Sequence, residues 1–188
     1  MDEKKIRQSC VLLLEGLGLD LKDEHFQKTP DRWVRMWMNE LGGSINKDVS
    51  PVLNVEFVEK GYKEMIFIRN IDFVSICPHH LVPWVGKAYV GYLPNGKITG
   101  LSKLVRLIEL SAQKPQVQER FVEEVTDVLY KKLKPEGCGV IVEAKHLCVC
   151  GRGVKNVNTE MLTTALRGSF MNVSVKQEFL AHYRGRIS

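Results

Sequence analysis

No run among the 188 residues approaches the roughly 18 to 20 consecutive apolar positions that a membrane-spanning helix needs. The longest near the start, Val11-Leu-Leu-Leu14, follows Lys4, Lys5 and Arg7 and ends in Glu15 without a small-residue cleavage site. The expectation is a chain with no membrane span and no signal peptide, working in the cytoplasm. Cysteines are few and odd in number. Cys10, Cys77, Cys138, Cys148 and Cys150 do not follow the spacing of a secreted disulfide framework, and read as thiols or metal ligands in a reducing compartment. The glycine spacing of a Walker loop is absent, and so are RNP-like and zinc-finger patterns. Lysines and arginines are spread along the chain, so the net charge of +5 is read as suiting a small anionic substrate such as a nucleotide, with no nucleic-acid or membrane partner expected. No internal repeat and no low-complexity linker interrupts the chain.

What is present is an ordinary globular composition, 44% hydrophobic and 26% charged, in a length that fits one domain with an appended helical segment. Apolar spacing predicts a helix from about Glu3 to Leu14, stopping near Gly16 and Gly18. A second is predicted with Thr29 as N-cap and Pro30 in the first helical position, its stripe of Trp33, Met36, Trp37 and Leu41 facing a core or a neighbouring subunit. Residues 65–76 read as one long strand or two, and 85–93 as another closed by the turn Pro94-Asn-Gly-Lys97. Ser102 is the expected cap of a helix, Lys114-Pro115 breaks it, and a further helix runs to about Leu133. Strands are predicted over 139–150 and 159–170, before a short helix around 176–183. Strands with a helical pair between them argue for an α+β fold on an antiparallel sheet, with residues 1–50 as an N-terminal helical segment and 51–188 as the main domain.

Two clusters of soft donors stand out. Cys77 and His80 are three apart, a separation at which a turn can aim both at one ion, with His79 and Pro78 between them. Zinc accepts thiolate and imidazole together, and three protein ligands would leave a fourth position open. The other cluster is His146-Leu-Cys148-Val-Cys150. On an extended strand these three side chains share one face. A site of Cys77, His80 and Cys148 leaves His79 and His146 for proton transfer, whereas adding Cys150 makes a closed, structural site. Spacing does not choose between them, and buried strand thiols beside polar turn residues would give the same pattern.

Gly100-Leu-Ser-Lys103 lies where a strand gives way to a helix, and helix N-termini offer N–H groups and a positive dipole end to anions. Ser102 and Arg106 share a helix face with Lys103 nearby, a pattern that also occurs on ordinary capped helices. Arg152, between Gly151 and Gly153, adds a cation after the second cluster. Gln118-Glu119 opens the next helix, where an amide and a carboxylate suit a purine edge or, equally, the helix dipole.

Taken in order, Cys77-Pro-His-His-Leu-Val-Pro, Gly91-Tyr-Leu-Pro-Asn, Gly100-Leu-Ser-Lys-Leu, Pro115-Gln-Val-Gln-Glu-Arg120, Val142-Glu-Ala-Lys-His-Leu-Cys148 and Arg152-Gly-Val closely resemble GTP cyclohydrolase I, over about Thr29 to Phe179. The resemblance implies Zn²⁺ held by Cys77, His80 and Cys148, with proton transfer by His79 and His146 and assistance from Ser102. It implies that Lys103, Arg106, Arg152 and Ser102 hold the triphosphate and ribose of GTP, that Gln118 and Glu119 read guanine, and that Arg32 serves an adjacent subunit. It implies a tunnelling fold, a sheet with two helices repeated around a pentameric β-barrel, and two pentamers stacked into a homodecamer with active sites between subunits. The implied reaction turns GTP into 7,8-dihydroneopterin triphosphate and formate, a product that can feed folate, tetrahydrobiopterin or 7-deazaguanine synthesis. Two departures stand against the pattern: Pro78 occupies a position where the family commonly has glutamate, and Cys150 one where it has no ligand. They motivate an alternative, a non-catalytic tunnelling-fold assembly with a modified zinc site.

Overall fold

The computed structural model describes residues 1–185. Helix α1 (Glu3–Gly16) is capped by Asp2, whose carboxylate accepts from the Lys5 amide. Helix α2 (Thr29–Arg35) continues into a wider π-helical turn, Met36–Leu41. The helix begins one residue earlier than expected: Lys28 is its N-cap, and Thr29 is already helical. Arg7 pairs with Asp31 and ties α1 to α2. The tryptophans of the α2 stripe meet edge to face, 6.0 Å apart, and are only half-buried.

Four antiparallel strands form the sheet, in the order β2 (Ile66–Ile76), β3 (Pro83–Leu93), β5 (Gly137–His146), β6 (Met161–Gly168). A separate pair, β1 (Glu56–Val58) with β4 (Lys97–Thr99), takes up the chain after the Asn95-Gly96 turn. Strand β1 had no sequence signal because all three of its residues are exposed, leaving no alternation to read. Between β4 and β5 lie α3 (Leu101–Ala112) and α4 (Gln118–Leu133); α6 (Val173–Arg184) closes the described chain. This is an α+β arrangement with antiparallel sheets.

Helices α3 and α4 cover one sheet face, where Leu104, Ile108, Phe121 and Val125 bury against Phe73, Trp84, Val90 and Val142. Strand β2 reaches that face with a change of parity. Ile66 and Ile68 serve it before Asn70, and Ile71 and Phe73 after, because the pairs Ile68 with Val90 and Ile71 with Ala88 enclose one extra residue. Asn70 takes up the bulge in a left-handed conformation, φ 57°. A single run of sequence therefore makes one strand whose apolar phase shifts in the middle.

The opposite face is covered at one end by α6, through Phe179 with Tyr89, Ile141 and Phe170. Gly91 and Gly139 are register partners, and a Cβ on Gly91 would lie 2.8 Å from the Phe179 ring. Their lack of side chains is what lets α6 approach. Tyr183 of α6 and Tyr89 of β3 both donate to the Glu143 carboxylate, fastening the helix to the sheet.

Candidate active site

The segment after β2 turns back at once: the Leu81 amide donates to Cys77 O and the Cys77 amide to Val82 O, with Leu81 left-handed. This loop puts Cys77, buried, and His80, exposed, on one turn. The second cluster departs from expectation. Strand β5 ends at His146, and residues Leu147–Cys150 form a helical turn, α5, rather than more strand. Successive side chains of a helix are about 100° apart, so Cys148 and Cys150 point roughly 200° from one another instead of sharing a face. The consequence is selective. The donor atoms of Cys77, His80 and Cys148 all lie within 4.8 Å of one another, and Cys150 is outside the group.

Two thiols and an imidazole this close need only small rotations to reach the distances zinc requires, about 2.3 Å to sulfur and 2.0 Å to nitrogen. The donor set therefore fits a zinc ion with one open position. Burial, followed by the neighbouring Cys77 thiol, holds the Cys148 thiol above its ordinary pKa, and a metal that binds there must displace its proton. His79 lies against the first of these thiols, its Nδ1 3.7 Å from Cys77 Sγ. Arg152 arrives from the loop after α5 and donates through Nη1 to His80 Nε2 at 2.7 Å.

His146 closes β5 on the helix-covered face, by the same alternation that buries Val140, Val142 and Ala144. Its ring stacks on Trp84, and its Nε2 meets Gln118 Oε1 at 2.9 Å. Burial lowers its pKa from the ordinary value, against an opposing pull from the Glu119 charge. Gln118, expected with Glu119 to read guanine, is 1% exposed within the single chain, with its carboxamide occupied on both sides. Glu119, exposed at the next position, is the member of the pair on the surface.

Ser102 is not a helix cap: Gly100 precedes the first helical residue of α3, Leu101, and Ser102 is the second, exposed, with no capping bond from its side chain. Lys103 and Arg106 line a cavity of about 450 Å³ with Ser44, Lys47, Asp48 and Val52, and none of the three metal-group residues lines it. Arg32 is exposed on α2. A larger concavity, about 680 Å³, lies over Asp72, Val85, Lys87, Tyr89 and Glu143 on the other sheet face and contains none of the expected site residues. One chain thus brings together Cys77, His79, His80, Cys148 and Arg152, and separately Gln118 and His146. Trp84, the support of His146, was missed; its register partnership with His146 is a property of the sheet and has no signature along the chain.

Comparison with known proteins adds to this geometry. The family model described as GTP cyclohydrolase I matches residues 6–184. A relative named GTP cyclohydrolase 1 from Aquifex aeolicus is 45% identical over 186 residues, covering 98% of each chain. Another of that name from Hydrogenobaculum sp. is 43% identical, covering 95% of this chain and 96% of its own. A third, from Halalkalibacterium halodurans, is 41% identical over 98% of each. The solved archaeosine synthase QueF-Like in the apo form aligns with 55% of this chain at 13% identity and a TM-score of 0.47, a likeness too slight to carry the fold.

Proposed function

This chain belongs to the GTP cyclohydrolase I family, and from that premise we propose that it converts GTP to 7,8-dihydroneopterin triphosphate and formate at a zinc centre held by Cys77, His80 and Cys148. Its activity is that of the family, a hydrolase of pterin and folate synthesis. The observation that carries the zinc reading is the convergence of these three donor atoms within 4.8 Å, with Cys150 turned away.

Zinc held there would supply Lewis acidity, which makes water a nucleophile near neutral pH. His146, two positions before Cys148 in sequence and held by Trp84 and Gln118, passes a proton to N7 of guanine as C8 takes up oxygen and the five-membered ring opens to a formamide, which a second water hydrolyses to release formate. His79 touches Cys77 through Nδ1 and keeps Nε2 for proton transfer; with Ser102 it assists opening of the ribose before rearrangement and reclosure. Lys103 and Arg106 on the first turns of α3, with Arg152, hold the triphosphate, where the helix dipole adds to their charge. Glu119 meets the N–H groups of guanine.

The same proposal includes a decamer of two pentamers, with Arg32 reaching the site of an adjacent subunit, in the cytoplasm, and a catalytic domain that starts near residue 51. Two features support it. Among the described residues no further strand of the sheet pairs with the outer edges of β2, bridged only at Ile76 to Pro115, and β6, and exposed Val74 and Leu162 lie on these strands. Lys103 and Arg106 line a cavity apart from the metal ligands, as expected of a site completed between subunits. Among the described residues no helix is long and apolar enough to cross a membrane.

The test is direct. Purified zinc-loaded protein is incubated with GTP, with and without a chelator, while formate and the fluorescence of oxidised neopterin are followed. Both products are expected from the loaded protein and neither after chelation; loaded protein that makes neither would support the non-catalytic alternative.

A further inference from the structure

Gln118 occupies the first helical position of α4 with its side chain buried between β5 and β6. Its Nε2 lies 3.1 Å from Val142 O, 3.0 Å from Met161 O and 3.1 Å from Thr163 Oγ1. Main-chain carbonyls accept hydrogen bonds and cannot donate them. Flipping the carboxamide would press its oxygen against two carbonyl oxygens, so the strands dictate which end faces them. The other end, Oε1, then faces His146 Nε2 at 2.9 Å. An amide oxygen only accepts, so His146 Nε2 must carry the hydrogen.

We infer that Gln118 is a positioning residue that holds neutral His146 as the Nε2–H tautomer and so makes Nδ1 the nitrogen through which this histidine exchanges protons. Two supports divide the task. Trp84, stacked 3° from parallel, sets the plane of the ring, and Gln118 sets its rotation within that plane. The order of command runs from the sheet outward: the Val142 and Met161 carbonyls orient an amide, and the amide orients an imidazole. The catalytic consequence rests on the role given to His146 above. In that role His146 with both nitrogens protonated releases the Nδ1 proton to guanine N7 and returns to the Nε2–H form, so the hydrogen bond to Gln118 persists through the step.

The tautomer is read directly from nitrogen-15 NMR of histidine-labelled, zinc-loaded protein in the solid state, where the size of an assembly does not matter, with His146→Gln supplying the assignment. The expected result is a single His146 signal set with hydrogen on Nε2. Hydrogen on Nδ1, or a mixture of tautomers, would overturn the inference whether or not the protein turns over GTP. The correct tautomer in a protein that makes no product would uphold it and count against the function instead. Gln118→Met removes the acceptor at similar length, and should lose the pure signature and lower kcat by about 100-fold, the low end of what a positioned acid or base contributes, with KM little changed. A Gln118→Met enzyme with raised KM and unchanged kcat would make Gln118 a substrate contact and refute the positioning role.

Discussion

The imidazole of His146 lies flat on the indole of Trp84, ring centroids 5.0 Å apart, and the two residues are register partners across β3 and β5. The stack extends inward, since Trp84 meets Phe73 at 5.2 Å and Phe121 at 5.7 Å, both edge on. The imidazole proposed above to transfer protons is therefore held by the hydrophobic core itself, with Trp84 serving both core packing and the orientation of His146.

Trp84→Ala should cost about 3–5 kcal/mol of stability, since it empties a fully buried site between sheet and helices. Trp84→Phe keeps an aromatic face under His146 and should lose less. Urea unfolding of both variants measures the difference. Equal losses would mean that the ring kept in Trp84→Phe contributes nothing to stability.

The metal group predicts an asymmetry between two cysteines that lie two positions apart. Cys148→Ala should abolish both bound zinc and turnover, whereas Cys150→Ala should retain stoichiometric zinc, because the helical turn directs its side chain elsewhere. His146→Ala should also retain zinc. Metal content by plasma emission checks all three, and zinc loss in Cys150→Ala would reassign the ligands.

The bulge at Asn70 sets the apolar phase of β2. Deleting Asn70 should turn Ile66 and Ile68 to the wrong face and leave a chain without native near-ultraviolet dichroism. Asn70→Gly should fold normally, whereas Asn70→Val should be about 1–2 kcal/mol less stable, because a β-branched residue resists the left-handed conformation. A native spectrum from the deletion would show that the register is set elsewhere.

Alkaline pH should weaken the fastening of α6. Burial first, then the hydrogen bond and charge of Glu143, push Tyr89 up to about 12, and the same causes raise Tyr183. The folded chain thus keeps these phenolic protons where the unfolded chain, titrating near pH 10, releases them. Their contribution is complete below about pH 10 and is lost as pH rises toward about 12. Thermal melts between these limits should fall more steeply for the natural chain than for Tyr89→Phe, and parallel slopes would exclude the coupling.

Much of the site was legible along the chain. Cys77 and His80 are three residues apart in a tight turn, and local spacing predicts that they converge. The α3 and α4 helices were readable because their apolar stripes repeat at the helical period and proline separates them. The reading failed at residues 147–150, where an apolar and thiol-rich run suits a strand or a buried helical turn equally. It failed at Asn70 too, because a bulge leaves no mark beyond a residue tolerant of positive φ.

The sequence by itself determined the α+β class, the identity of the soft donors and the family, because these depend on residue types and short separations. Only the tertiary structure decided that Cys148 joins the metal group and Cys150 does not, that Trp84 lies under His146, and that Gln118 faces inward to the strands. Those relations join residues 24 to 71 positions apart, and they exist only once the sheet register and helix packing have brought distant parts of the chain together.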